Sequence, residues 1–257
     1  MKIRLGIDGR AGYIEKAREL GAPVLLSANQ LWKNGRWKLP DLEGLDVALD
    51  SGGFVSQVNG GFKFTMKDYV KLVDMLNPTW YAAMDICCEP EVGYTEERWS
   101  KTESPAWPHV RATIHNLWKL LDVCHRNPVP VIQGWTLRDY AWCVLRMEES
   151  ISHWPNLVGV GTMCRRSTQG ICEVMNLLDR MLPPHVKLHL FGVKGAVLRR
   201  LNACFSHRIE SIDSFAHAMR ARFDARDNKI SNDSNHRVMH MERWYHNNTQ
   251  SQLPLWQ

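Results

Sequence analysis

The stretch VALDSGGF, residues 47–54, decides how the fold is read. Val47, Ala48 and Leu49 form the unbroken apolar run of a strand buried on both faces, and the run stops at an acid, Asp50. Gly52 and Gly53 follow, then an aromatic, Phe54. Adjacent glycines cost backbone entropy on folding, so something is expected to approach that backbone closely.

The same unit, an apolar run ending on a residue able to do chemistry, recurs along the chain. Strands are expected at 2–7, 23–27, 47–50, 80–85, 129–133, 157–161, 188–192 and 209–213. Helical periodicity lies between most of them, at 66–76, 107–125, 137–150, 169–181, 194–203 and 214–222. Strand and helix alternating in this way predict a parallel α/β sheet, and about eight strands in 257 residues predict a single-domain (β/α)8 barrel of the TIM type. Residues 1–223 are expected to form it, with 224–257 a polar extension, rich in Asn and His, on or beside the barrel. A charged, Pro-bounded loop is expected at 89–105.

Bulk properties narrow the class. The chain is 44% hydrophobic and 23% charged, an ordinary globular balance. No apolar run approaches the roughly 18 residues of a membrane span, and the start MKIRLGIDGR lacks a signal peptide's apolar core. Seven cysteines without paired spacing read as free thiols in a reducing compartment, so a cytoplasmic location is expected, without membrane association. The net charge is +5, and between residues 194 and 243 ten Lys and Arg stand against six acids, enough for a face that meets phosphates. Of eleven tryptophans, Trp107, Trp118 and Trp142 fall in helical patterns and read as packing, whereas Trp32, Trp37, Trp99 and Trp135 lie nearer turns.

In a parallel barrel the carboxyl ends of the strands share one face, where active sites form. Asp50, Asp85, Gln133, Gly159, Gly161, Gly192 and Asp213 all fall at such ends. One acid after a strand is commonly a helix cap; three, together with a Gln, suit a planar hydrogen-bonding ligand such as a purine. Ser51, Gly52 and Gly53 would bring backbone to its edge and Phe54 would cover a face. Asp85 would accept from a ring N–H and an exocyclic amine, Gln133 would donate to a carbonyl, and the N–H groups of Gly159, Val160 and Gly161 would add donors. Asp50 and Asp213 remain, and two carboxylates can divide nucleophile and proton transfer in retaining glycosyl exchange.

LDSGGF, AAMDICCEPE, VIQG, VGVG, LFGVKG and SIDSFA, in this order over residues 20–222, resemble the barrel motifs of the tRNA-guanine transglycosylases. Those enzymes exchange guanine in a polynucleotide for a 7-deazaguanine through a covalent aspartyl–sugar intermediate. The resemblance implies Asp213 as nucleophile and Asp50 as general acid/base. It implies Asp85, Gln133 and residues 159–161 as the base-recognition set, with Phe54 stacking. The tRNA-acting members carry a Cys-x-Cys-x-x-Cys zinc site after the nucleophile, but here no cysteine follows Cys204. The short chain therefore resembles the bacteriophage DNA transglycosylases, which place preQ0-type bases in DNA. The implied partners are DNA, with the target base flipped or single-stranded, and a free 7-deazaguanine; no cofactor is implied. Exchange in tRNA, or an inactive barrel that only binds nucleic acid, are the alternatives.

Arg165, Arg166, Lys194, His217, Arg220 and Arg222 are the expected phosphate contacts, with packing the alternative for His217. His236 and His240 stand four apart, a spacing that puts two imidazoles on one helix face. With His246 and Cys204 they could hold a metal, but so polar a segment reads as a surface helix, and no metal ligand is assigned.

Overall fold

A computed structural model gives the structure of the chain and describes residues 1–90 and 104–250. Most of the expected loop at 89–105, and with it Trp99, lies outside the described residues. The strands are β1 Lys2–Ile7, β2 Val24–Ser27, β3 Trp32–Lys33, β4 Arg36–Trp37, β5 Val47–Asp50, β6 Trp80–Tyr81, β7 Val131–Ile132, β8 Leu157–Val160, β9 Lys187–Leu190 and β10 Ile209–Ser214. β3 and β4 form a small antiparallel hairpin. The other eight make one parallel sheet in the order β6-β5-β2-β1-β10-β9-β8-β7.

Its two outer strands meet. Ala82, just past β6, pairs in parallel with Val129, just before β7, through two N–H···O bonds of 2.8 Å. The sheet therefore curls into a TIM-like barrel in a single domain. β6 is shorter than the run at 80–85 predicts because side chains take over its ladder. The Tyr69 hydroxyl donates to the Ala82 carbonyl at 2.9 Å, and the Asn116 amide donates to that of Met84 at 2.8 Å.

The helices outside the barrel follow their sequence signals. Met66–Leu76 and Leu137–Glu148 each open on a capping box, Thr65 with Asp68 and Thr136 with Asp139. The second buries Tyr140, Cys143, Val144 and Met147, the three-and-four spacing of an inward stripe. The helix expected at 194–203 is a 3₁₀ turn, Gly195–Val197, running into Leu198–Phe205. Ala11–Glu19, with weak amphipathic periodicity, and the short Ala28–Leu31 and Gly53–Val58 are helices that the pattern did not predict. Trp107 and Trp142 stack at 5.0 Å as packing residues, whereas Trp118 is exposed.

Beyond Asp224 the polar segment forms a helix, Ser234–Gln250. Its His240, Met241 and Trp244 are buried, and Met241 and Trp244 join the main core. Among the described residues, no helix is long and apolar enough to cross a membrane.

The amino-terminal mouth of the barrel is closed by charge. The buried Arg4 guanidinium meets Asp46 at 2.9 Å, with Lys2 and Thr79 also donating to that carboxylate. Burial would push Asp46 up, but these bonds together outweigh it and hold the carboxyl at about 2.

Candidate active site

At the carboxyl ends of the strands lies a cavity of about 210 Å³. Its wall includes Asp50 from β5, Asp85 after β6, Gln133 after β7, Gly161 after β8 and Asp213 in β10. Phe54, on the helix that follows the paired glycines, completes one side. Five separate strands thus deliver the residues that share the predicted position.

Asp85 is buried and held in one orientation. The Ser51 hydroxyl donates to its Oδ1 at 2.6 Å and the Gln133 amide donates to its Oδ2 at 2.6 Å. The Gln133 carbonyl in turn accepts the Thr162 hydroxyl at 2.6 Å, and Thr162 Oγ1 accepts the Cys88 N–H at 2.9 Å. The chain of bonds fixes Gln133 at both ends, leaving its second amide hydrogen for a ligand. Burial raises the pKa of Asp85 despite the two donors.

Asp50 is only partly exposed, through the cavity. Desolvation, with the charges of Asp85 and Asp213 adding to it, pushes its carboxyl up to about 8, and the Gly52 N–H pulls the other way without cancelling them. A carboxylic acid that keeps its proton at neutral pH can donate it. Asp213 Oδ1 accepts the Gly192 N–H at 2.9 Å. His189 Nε2 lies 3.3 Å from the same oxygen but off the line of a hydrogen bond. Burial lowers the pKa of His189, so the imidazole is neutral.

The paired glycines have a cause within the protein. Gly52 adopts φ +83°, and a Cβ there would sit 2.0 Å from the Asn29 amide nitrogen, whose N–H bonds the Gly52 carbonyl at 2.7 Å. A Cβ on Gly53 would lie 2.3 Å from the Asp85 carbonyl oxygen. The close approach is that of Asn29 and of the Asp85 segment.

Other predicted residues are placed differently from their expected roles. The Gly159 and Gly161 N–H groups bond Pro130 and Ile132 carbonyls across the sheet at 2.8 and 3.0 Å, which leaves those donors no ligand to serve. Gly161 still lines the cavity, while the Val160 side chain is buried in the core. Arg166 faces inward: its Nε donates to the Thr162 carbonyl at 2.9 Å, and its guanidinium covers Trp135 and Tyr140. His217 is fully buried with Nε2 2.9 Å from the Gly6 carbonyl, and burial lowers its pKa to about 4. Neither reaches a phosphate from there. Arg165 lies over the Phe54 ring at 5.3 Å, at the mouth of the cavity. Arg222 is exposed.

Lys194 and Arg220 line a second cavity, of about 410 Å³, together with Arg243 and Asn247 from the Ser234–Gln250 helix. The cavity lies beside the loops after β9 and β10, the seventh and eighth barrel strands, a common phosphate position in this architecture. Among the described residues, no carboxylate lines it.

Sequence reasoning passed over Glu89, Thr162 and His189. Glu89 stood unassigned inside the quoted AAMDICCEPE; it is buried against the cavity, 3.4 Å from Cys164 Sγ. His189 interrupts an apolar strand, a visible signal. Thr162 carries φ +56°, which a β-branched residue adopts only under strain and which no local pattern foretells.

The profile of the family described as DpdA, DeoxyPurine in DNA protein A, matches residues 12–254. The chain belongs to that family. No curated protein sequence matches it. The matched residues include those that line both cavities and the Ser234–Gln250 helix.

Proposed function

We propose that the chain exchanges guanine in DNA for a 7-deazaguanine of the preQ0 type. The observation that carries the reading is the cavity of Asp50, Asp85 and Asp213 at the barrel mouth of a DpdA-family protein. Its volume, about 210 Å³, is below the roughly 300 Å³ of ordinary ligand sites and suits one bicyclic base better than a nucleotide.

In the first step a carboxylate oxygen of Asp213 attacks the anomeric carbon C1′, and the C1′–N bond to guanine breaks. Asp50 gives its proton to the departing base, leaving a carboxylate and a covalent aspartyl–deoxyribose. In the second step the 7-deazaguanine nitrogen attacks C1′, the ester C–O bond breaks, and Asp50 recovers a proton from that nitrogen. Two displacements at one carbon retain its configuration. Asp85, locked by Ser51 and Gln133, accepts from the ring N–H and the exocyclic amine of either base. Phe54 offers a stacking face.

A base in duplex DNA is out of reach of these groups, so the target nucleotide leaves the stack or comes from single-stranded DNA. The strand's phosphates lie against Lys194, Arg220 and Arg243, with Arg165 and Arg222 on the approach.

The test is incubation with duplex DNA, single-stranded DNA and tRNA, each with labelled guanine and with labelled preQ0. Label entering DNA and not tRNA is expected, and Asp213→Asn abolishes it while Asp50→Asn slows it severely. Label entering only tRNA would replace the polymer, and unimpaired exchange by Asp213→Asn would refute the mechanism.

A further inference from the structure

We propose that Asp224, His236 and His240 form a zinc-binding site that locks the carboxyl-terminal helix to the helix that follows β10. One carboxylate oxygen gathers both imidazoles: Asp224 Oδ2 lies 3.4 Å from His236 Nε2 and 3.2 Å from His240 Nε2. The three donor atoms all fall within 4.8 Å of one another. A tetrahedral zinc ion with bonds of about 2.0–2.1 Å sets its ligands about 3.3 Å apart, so both measured edges have the required length.

The surroundings orient the donors. The Asn228 amide donates to Asp224 Oδ1 at 2.9 Å, which leaves Oδ2 for the imidazoles. His236 and His240, at positions four apart on Ser234–Gln250, are nine-tenths buried, while Asp224 is more open and gives access. His236 Nε2 also lies 3.1 Å from the Ala221 carbonyl. Zinc takes the Nε2 lone pairs, so both imidazoles carry their proton on Nδ1 when it binds, and the contact with Ala221 is given up. Three protein ligands leave a fourth position for water. Of the residues that spacing alone suggested, Cys204 and His246 take no part; the third ligand comes from Ala216–Asp227.

The donors differ in kind from the cysteine set of the tRNA-acting enzymes. Their position suggests the consequence. Ala216–Asp227 begins two residues beyond the end of the strand that carries Asp213, and Ser234–Gln250 carries Arg243 into the basic cavity. Joining the two helices would fix that cavity relative to the cleft.

The site is tested on the full chain after removal of metal with a chelator. Calorimetric titration with zinc chloride is expected to show one ion per chain. The melting temperature should rise roughly 5–10 °C at a hundredfold excess over Kd. Cobalt(II) should give the visible bands of four-coordinate geometry. Asp224→Asn, which keeps shape and volume, and His240→Ala should both lose the stoichiometric ion, and His246→Ala should retain it. If His240→Ala fails to fold, Asp224→Asn decides. No saturable zinc binding by the stripped wild type, or binding unchanged in Asp224→Asn, would overturn the site. Stoichiometry is read without base exchange, so this inference and the proposed reaction fail separately.

Discussion

Adding one methyl group at Gly53 tests how tightly the cleft is set. A Cβ there would lie 2.3 Å from the Asp85 carbonyl oxygen and 3.0 Å from its carboxyl carbon and Oδ1, whereas ordinary contact begins near 3.4 Å. A gap of roughly 1 Å must open, and the partner is the backbone of Asp85, whose carboxylate lines the cavity. Gly53 has no positive φ and starts a helix, so alanine meets no conformational penalty and gains up to about 1 kcal/mol of helix propensity. Overpacking costs about 1–3 kcal/mol, which largely offsets that gain. Stability should therefore change by no more than about 2 kcal/mol. Function should not be spared, because a misplacement of about 1 Å can cost on the order of 10²-fold in rate. The assay is incorporation of labelled preQ0 into single-stranded DNA, with the melting curve of the same sample alongside. Gly53→Ala should fold, lose about 10²-fold in kcat/KM, and show a raised KM for the free base. A folded Gly53→Ala protein with wild-type kinetics would refute the claim that Asp85 must stand where Gly53 allows it.

Base exchange should fall as pH rises through about 8, where Asp50 loses the proton it gives to guanine; a pH–rate profile lacking that limb would assign the acid elsewhere. Asp46 has its folded pKa depressed to about 2, so its stabilisation is present above about pH 4 and is lost as pH falls towards 2. With a third of that side chain exposed, the loss should be about 1–2 kcal/mol, seen as an acid-limb difference between wild type and Asp46→Asn in urea melts. Arg243→Ala should weaken DNA binding and reduce the slope of log K against log salt by about 1, whatever the sequence of the DNA.

Much of the cleft was legible because a buried parallel strand is a short apolar run and its last residue faces the active end. VALD, LVGV and IESIDS declare themselves in that way, and Asp50 and Asp213 stand where the pattern puts them. Asp85 was found although its strand is short, since the apolar run at 80–85 persists where side chains replace the ladder. What stayed hidden depends on partners distant in sequence. Arg166 and His217 looked like phosphate contacts, yet an inward turn toward Thr162 and burial against Gly6 are tertiary events without local signature. The Ser234–Gln250 helix was obscured because much of it is polar and its buried face is narrow: His240, Met241 and Trp244. The glycines were read for close approach; Asn29 and the Asp85 segment make one, and Gly53 also lines the cavity.

The cleft gathers several acids in one small cavity, where burial makes it costly to carry every charge. Donors divide the work among them. Asp85 receives two strong side-chain bonds that fix where its oxygens point. Asp213 has a backbone N–H on Oδ1 and, among the described residues, no protein hydrogen bond on Oδ2. Asp50 is desolvated and opposed by both neighbouring charges, which together outweigh the Gly52 N–H and the Ser27 hydroxyl and hold its carboxyl at about 8. In the proposed reaction, the roles of proton donor, reader and nucleophile would follow this division of surroundings. Three identical side chains in one cleft are set apart by what surrounds them: two side-chain donors on Asp85, one backbone N–H on Asp213, and around Asp50 a burial and like charges that its own donors do not offset.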